Sequence, residues 1–244
     1  MRKRAQVTIF IILAILIVGA IAGIFMFKDR IFSEQQYPSD ILQIKNFVED
    51  CLETTAENSL IRIGERGGYF LIFDEPSIEG RIPYYLEGNK KSIPTKQEIE
   101  LNLAGFVREE LSFCILNFKD FREDFVIEHS LNKVETNILQ GKTSFSLEYP
   151  ITINKRGTET AYQLKDFSID ISVNLEKISS VANKIIQEQA QHPDSICLSC
   201  LYNLGLENNV HIDMLDYGNS TIFTIMDDNS KINEGSYEWN FAII

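Results

Sequence analysis

The sequence predicts an α+β domain carried behind a single membrane-spanning helix, and three observations lead to that expectation. Ile9 to Phe27 is a run of 19 residues without a charge, an amide, a hydroxyl or a proline. Two later stretches, starting at Ser39 and at Thr95, repeat apolar residues at helical spacing. Beyond Asp120 the apolar period falls from 3.6 to 2, the signature of half-buried strands.

The apolar run comes first in the chain. As a helix it would be about 28 Å long, which matches the hydrocarbon thickness of a bilayer and exceeds most secretory h-regions. The division expected is therefore a basic N-terminus (1–8), a transmembrane helix (9–27), a juxtamembrane linker (28–38) and a domain (39–244) with a helical part (39–120) and a sheet-rich part (121–244). Arg2, Lys3 and Arg4 precede the span while Lys28 and Arg30 follow it. This asymmetry favours a cytoplasmic N-terminus and an extracytoplasmic C-terminal domain. Gly19 and Gly23 form a G-x-x-x-G pair, the spacing at which membrane helices approach closely, so any homo-oligomer is expected through this span.

The string KRAQVTIF at positions 3–10 resembles the class III signal peptides of archaeal type IV pilin-like proteins, in which a basic stretch is cut before a Gln. The resemblance covers roughly the first 27 residues and implies processing between Ala5 and Gln6. Counting from Gln6, the fifth mature position holds Phe10, where many pilins carry Glu. The layout is also similar to single-span archaeal envelope proteins that join a KRGQVTIF-like start to a cysteine-containing helix and a Gly-Gly-Tyr turn, here Gly67-Gly68-Tyr69. That likeness implies a location in the cell envelope.

Charge excludes one class of partner. The chain has 23 basic and 35 acidic residues, and five basic and one acidic fall within residues 1–30. The remainder therefore carries 18 against 34, a net of −16, which offers nucleic acid no electrostatic footprint. The bilayer around the span is the partner expected, and any further ligand is left open.

All four cysteines lie beyond the span, and in an exported domain an even number permits a disulfide framework. Four cysteines allow three connectivities. Cys51 in FVEDCL and Cys114 in LSFCIL both close apolar helical stripes, so the pairing expected is Cys51 with Cys114, leaving Cys197 with Cys200.

The domain's elements follow from pattern. Ser39 caps a helix whose Ile41, Ile44, Val48, Cys51 and Leu52 share one face, and Gly64, Gly67 and Gly68 end it. Tyr69 to Phe73 reads as a buried strand, and Pro76 to Pro94 as a loop in which Tyr84 and Tyr85 fold back onto the domain. Thr95 and Glu98 form a capping box for a second helix, with Ile99, Leu103, Phe106, Val107 and Phe113 inward. Five alternating segments, FVIEHSL, KVETNIL, TSFSLEYPITI, ETAYQL and SIDISVNL, then predict an antiparallel meander. Lys177 to Gln191 supplies a helix for its dry face, and Pro193 stops it. Three more strands are expected, at 210–215, 220–226 and 237–243, with a turn over 227–235.

Candidate chemistry is sparse. C-x-x-C at Cys197 and Cys200, with His192 and His211, has the spacing of a tetrahedral metal set. A redox pair, a structural disulfide and free thiols are the alternatives. Export favours oxidation, zinc-knuckle glycines are missing and no βαβ setting surrounds the pair, so no metal is expected. DDNSKINEG (227–235) places oxygen ligands at alternate positions but lacks the glycine and final glutamate of a calcium loop. Glu109-Glu110, Glu123-Asp124 and Asp227-Asp228 read as solvated acidic faces. Asn219-Ser220-Thr221 is a glycosylation sequon in a predicted turn. Hydrolase, metalloprotease, nucleotide-loop and dinucleotide fingerprints are all missing, so no catalytic residue and no cofactor is expected. The function expected is a membrane-anchored, non-enzymatic envelope protein, a pilin-like structural or adhesive component. The alternative is a surface-anchored enzyme or substrate-binding protein.

Overall fold

The computed structural model describes residues 17, 37–70, 76–131 and 133–244. The expected span, with Ala5, Gln6, Phe10, Gly19 and Gly23, lies outside the described residues apart from Ile17, which is helical. Among the described residues no helix is long and apolar enough to cross a membrane.

The three helices expected after residue 38 form close to where the pattern placed them. α1 (Ser39–Glu65) buries Ile41, Ile44, Val48, Cys51, Leu52, Leu60 and Ile63 along one stripe. α2 (Lys96–Ile115) starts at the Thr95/Glu98 capping box, with each side chain reaching the other residue's backbone N–H. Its inward residues are Ile99, Leu103, Ala104, Val107, Leu111 and Ile115. Phe113, expected inside, is 68% exposed because the stripe runs 107, 111, 115 and turns position 113 outward. Phe106 is half-buried and meets Phe70 edge-on at 5.3 Å. Cys51 and Cys114 are bridged, tying α1 to α2 across 63 residues.

α2 ends abruptly. Leu116, Asn117 and Phe118 all take left-handed backbone angles, and a 3₁₀ turn (Leu116–Phe121) follows. The cost of that geometry is offset by Phe118, which is fully buried between Phe47 of α1 and Tyr149.

Two sheets follow from the alternating half of the chain. One holds β4 (Phe125–His129), β5 (Lys133–Leu139), β6 (Lys142–Lys155) and β7 (Ala161–Ile171), all antiparallel. β6 is the spine: β4 and β5 pair with its two halves on one side, and β7 runs along the other. Residues 143, 145, 147, 149, 151 and 153 are buried and their neighbours are wetter, as period 2 demands. The segments ETAYQL and SIDISVNL contribute to one strand, β7, since pairing with the long β6 bridges the polar residues between them.

The other sheet departs from the expected antiparallel layout. The loop over 76–94 contains β1 (Ser77–Ile78), β2 (Ile82–Glu87) and β3 (Lys90–Lys91). β2 lies parallel to β10 (Gly235–Ile243), which pairs antiparallel with β9 (Ser220–Ile232), and β9 with β8 (His211–Tyr217). The sheet is therefore mixed. Its order is β1-β2-β10-β9-β8, with β3 also on β2. Prolines and glycines around β2 hid a strand whose Tyr85 is fully buried and stacks on Phe241 at 4.6 Å. Tyr69 and Phe70 are in no strand, and the remainder of that predicted strand lies outside the described residues.

α3 (Leu175–Gln191) is capped by the Asn174 side chain and buries Ile178, Val181, Ala182, Ile185 and Ile186. It touches β5 of one sheet and β2 and β9 of the other. α4 (Leu198–Asn208) follows, in a segment to which the sequence reading gave no element. These elements make up one unit, Asp40–Ile244.

Candidate functional site

Some sequence-predicted residues turn out to be structural. Asp227, expected on a wet surface, is fully buried and takes the Lys177 ammonium at 2.8 Å. The Ser230 hydroxyl donates to its Oδ2 at 2.7 Å and the Asn229 N–H to its Oδ1 at 3.2 Å. Burial pushes the Asp227 carboxyl up, but Lys177 and these hydrogen bonds outweigh it and hold the group below its usual value. Residues 228–230 loop out of the β9–β10 ladder, because Ser236 pairs with Lys231 and Tyr237 with Asp227. The oxygens of DDNSKINEG therefore clamp α3 onto β9: Ser230 Oγ also accepts the Asn174 N–H at 3.0 Å. Most of the predicted turn over 227–235 is strand, and the reversal itself is Asn233-Glu234, both at positive φ. Glu109, Glu110, Glu123 and Asp124 are exposed, and Asn219 is exposed in the β8–β9 turn. Tyr84 is half-buried with its hydroxyl 2.9 Å from Ser220 Oγ.

The concentration of accessible chemistry lies at α3–α4. Pro193 follows the end of α3, and Gln189 Nε2 donates to the carbonyls of His192 and Pro193, fixing the exit of the chain. The chain re-enters a helix at Cys197, the N-cap of α4, whose Sγ accepts the Cys200 N–H at 3.3 Å. Cys197 and Cys200 are disulfide-bonded and both half-buried. Glu188, one helix back, places Oε1 3.9 Å from Cys200 Sγ and 3.6 Å from His192 Nε2.

Of the metal candidates, His192 therefore stands near the pair through Glu188. His211 instead lies on β8 against Asp213 at 3.0 Å. Glu188, Cys197 and Cys200 gather three ligand-type atoms, but a disulfide sulfur is not the thiolate that a zinc site requires.

α4 buries almost nothing. Only Gly205 is fully inside, at a turn so tight that an added Cβ would stand 2.9 Å from the Val210 carbonyl. Leu198, Tyr202 and Leu206, spaced four apart, are 64%, 68% and 65% exposed. With Val210, Ile212 and Met214 they line a groove of about 320 Å³ between α4 and β8. β8 is the terminal strand of its sheet order and is exposed along nearly its whole length, with Leu215 and Tyr217 adding apolar surface. This helix was readable in sequence: a cysteine cap, apolar residues at i, i+4 and i+8, and Asn209 in a left-handed stop.

A second concavity, about 690 Å³, is lined by Arg62, Arg66 and Arg81 with Glu65, Glu79 and Tyr217. Arg66 is held below its ordinary value by burial and then by the like charge of Arg62, and it donates to the Phe70 carbonyl at 3.0 Å. No family model matches this chain, and comparison with curated proteins and with solved structures gives no match.

Proposed function

We propose that the chain is a membrane-anchored cell-envelope protein whose extracytoplasmic α+β domain binds an extended, apolar, neutral or basic polypeptide segment along the α4–β8 face. The anchor and its orientation rest on Ile9–Phe27 and the basic residues before it. The binding reading rests on one observation: three large apolar side chains stand more than 60% exposed in a row beside a groove, on a domain that otherwise buries its helical stripes. Acidic residues, Glu207, Asp213 and Asp216, flank that face, and residues 31–244 carry a net of −16, which repels an acidic partner. An exposed apolar row of this kind marks a contact surface for another polypeptide.

The test has two parts. Protease added to intact cells should remove residues 31–244, and full protection would overturn the location. A photo-reactive residue introduced at position 202 should give discrete protein adducts in cells, while one at the exposed Leu139 should give none. Equal yields from both positions would overturn the face.

A further inference from the structure

We infer that Cys197 and Cys200 form a reversible thiol–disulfide exchange site, whose substrate is a cysteine of an exported polypeptide lying in the α4–β8 groove. The inference rests on the reading of that groove as a polypeptide-binding face. Four observations support it.

First, the two disulfides differ in what they can do for the fold. Cys51–Cys114 spans 63 residues and its Cys51 is buried between helices. Cys197–Cys200 spans three residues, a loop too short to restrict the unfolded chain much. Second, the pair occupies the first turn of α4, where the Cys200 N–H points at Cys197 Sγ from 3.3 Å. In the reduced form that N–H and the helix dipole stabilise a Cys197 thiolate, the species that attacks or leaves in exchange. Third, Glu188 Oε1, 3.9 Å from Cys200 Sγ, is placed to take a proton from the Cys200 thiol or return it. Fourth, Leu198, the residue after Cys197, begins the groove wall that continues through Tyr202 and Leu206. A polypeptide that extends out of the groove at its Leu198 end is therefore one residue along α4 from Cys197.

The exchange balances without a further co-reactant. A substrate thiolate attacks Cys197 Sγ and forms a mixed disulfide. The Cys197–Cys200 bond breaks, and its electron pair goes to Cys200 Sγ, which takes, by way of Glu188, the proton that the first substrate thiol gave up on ionising. A second substrate thiolate then attacks the substrate sulfur of the mixed disulfide and releases Cys197 as a thiolate. Two substrate thiols have become one disulfide, two electrons have passed to the protein pair, and the reverse sequence reduces a substrate disulfide.

The experiment uses the full chain in lipid nanodiscs. Equilibration across glutathione redox buffers, with alkylation and peptide mapping, should open Cys197–Cys200 while Cys51–Cys114 stays closed and the circular dichroism stays unchanged. If the two pairs open together, or if neither opens before unfolding, the inference fails. In a second arm the Cys200→Ser variant meets a short peptide carrying one activated cysteine between leucines. It should form a mixed disulfide at Cys197, about tenfold more slowly when Tyr202→Ala is added. A peptide no faster than free cysteine, and indifferent to Tyr202→Ala, overturns the groove and with it the proposed binding face. A peptide that binds the Cys197→Ser/Cys200→Ser variant by fluorescence anisotropy, yet exchanges with no form of the protein, leaves the face standing and refutes the exchange site.

Discussion

The indole N–H of Trp239 donates to the Tyr85 hydroxyl at 3.1 Å, across the parallel pair β10–β2. That hydroxyl donates in turn to the Gly67 carbonyl at 2.6 Å, so one buried oxygen ties the glycine turn after α1 to both strands. Burial pushes the Tyr85 hydroxyl far up in pKa, keeping it protonated and able to donate. Tyr85→Phe would keep the ring's stack on Phe241 and leave the Trp239 N–H and the Gly67 carbonyl without this partner. The expected cost is about 2 kcal/mol or more, because each buried polar group loses its hydrogen bond and regains no water. Denaturant unfolding of the variant beside the parent checks it, and an unchanged midpoint would show that the pair does not hold the turn.

Gly64 shows how closely the end of α1 approaches β10. A Cβ built there lies 2.2 Å from the Glu238 carbonyl and 2.9 Å from the Tyr237 hydroxyl, which itself donates to Leu60 O at 2.8 Å. Gly64→Ala must push helix and strand apart, at an expected cost of about 3 kcal/mol or more. Gly105, inside α2, meets nothing within 4 Å, and Gly105→Ala should stabilise by about 0.5–1 kcal/mol. Opposite shifts in melting temperature for two chemically identical substitutions are the expected result.

Periodicity made much of the domain legible, and long-range contacts account for what it missed. The capping box and the α3 stripe follow from local spacing, and the Cys51–Cys114 bridge from two such helices whose dry faces share one core. β2 was hidden because Pro83 and the flanking glycines signal turns. What makes it a strand is pairing with β10, more than 150 residues later, a partner no local window contains. Asp227 was misread for the same reason: its ammonium partner, Lys177, sits 50 positions away, on helix α3. At the candidate site the cysteine pair was visible in sequence. Glu188 and the α4–β8 groove were not, because the first comes from the preceding helix and the second from two elements meeting.

The Lys177–Asp227 pair gives a prediction about both stability and acid. Lys177→Met removes the cation that compensates a fully buried carboxylate and leaves it Ser230 and Asn229 as partners among the described residues. The expected loss is about 3 kcal/mol, and it should shrink when Asp227→Asn is combined with it. The Asp227 carboxyl titrates lower folded than unfolded, so its contribution is present above the usual value of 3.8 and is lost as pH falls through the lower folded value. The parent should therefore lose stability in that acid window and the Asp227→Asn variant should lose less, as followed by denaturant midpoints. Equal acid sensitivity would remove Asp227 as the cause.

His129 should make the domain sensitive to milder acid. Its ring meets Phe118 edge-on at 5.0 Å, inside the cluster that the left-handed turn at 116–118 creates. Burial, followed by the positive charge of Arg122, holds the imidazole below its ordinary value of 6.5. The Tyr149 hydroxyl is 2.8 Å from His129 Nδ1 and, with its pKa pushed up to about 12 by burial, remains the donor; a neutral ring protonated on Nε2 is the form that accepts it. The unfolded chain therefore binds a proton near pH 6.5 that the folded chain refuses until lower pH. By linkage, the contribution of neutral His129 is complete above 6.5 and is lost as pH falls through the folded value. His129→Gln removes the titration, so its unfolding midpoint should fall less than the parent's between pH 7.5 and 5 while both share the same slope above 7. A variant that follows the parent across the whole range would place the acid sensitivity elsewhere. The His129 C2 proton shift, followed by NMR against pH, should show an inflection below 6.5 in the folded protein and at the ordinary value once it is unfolded.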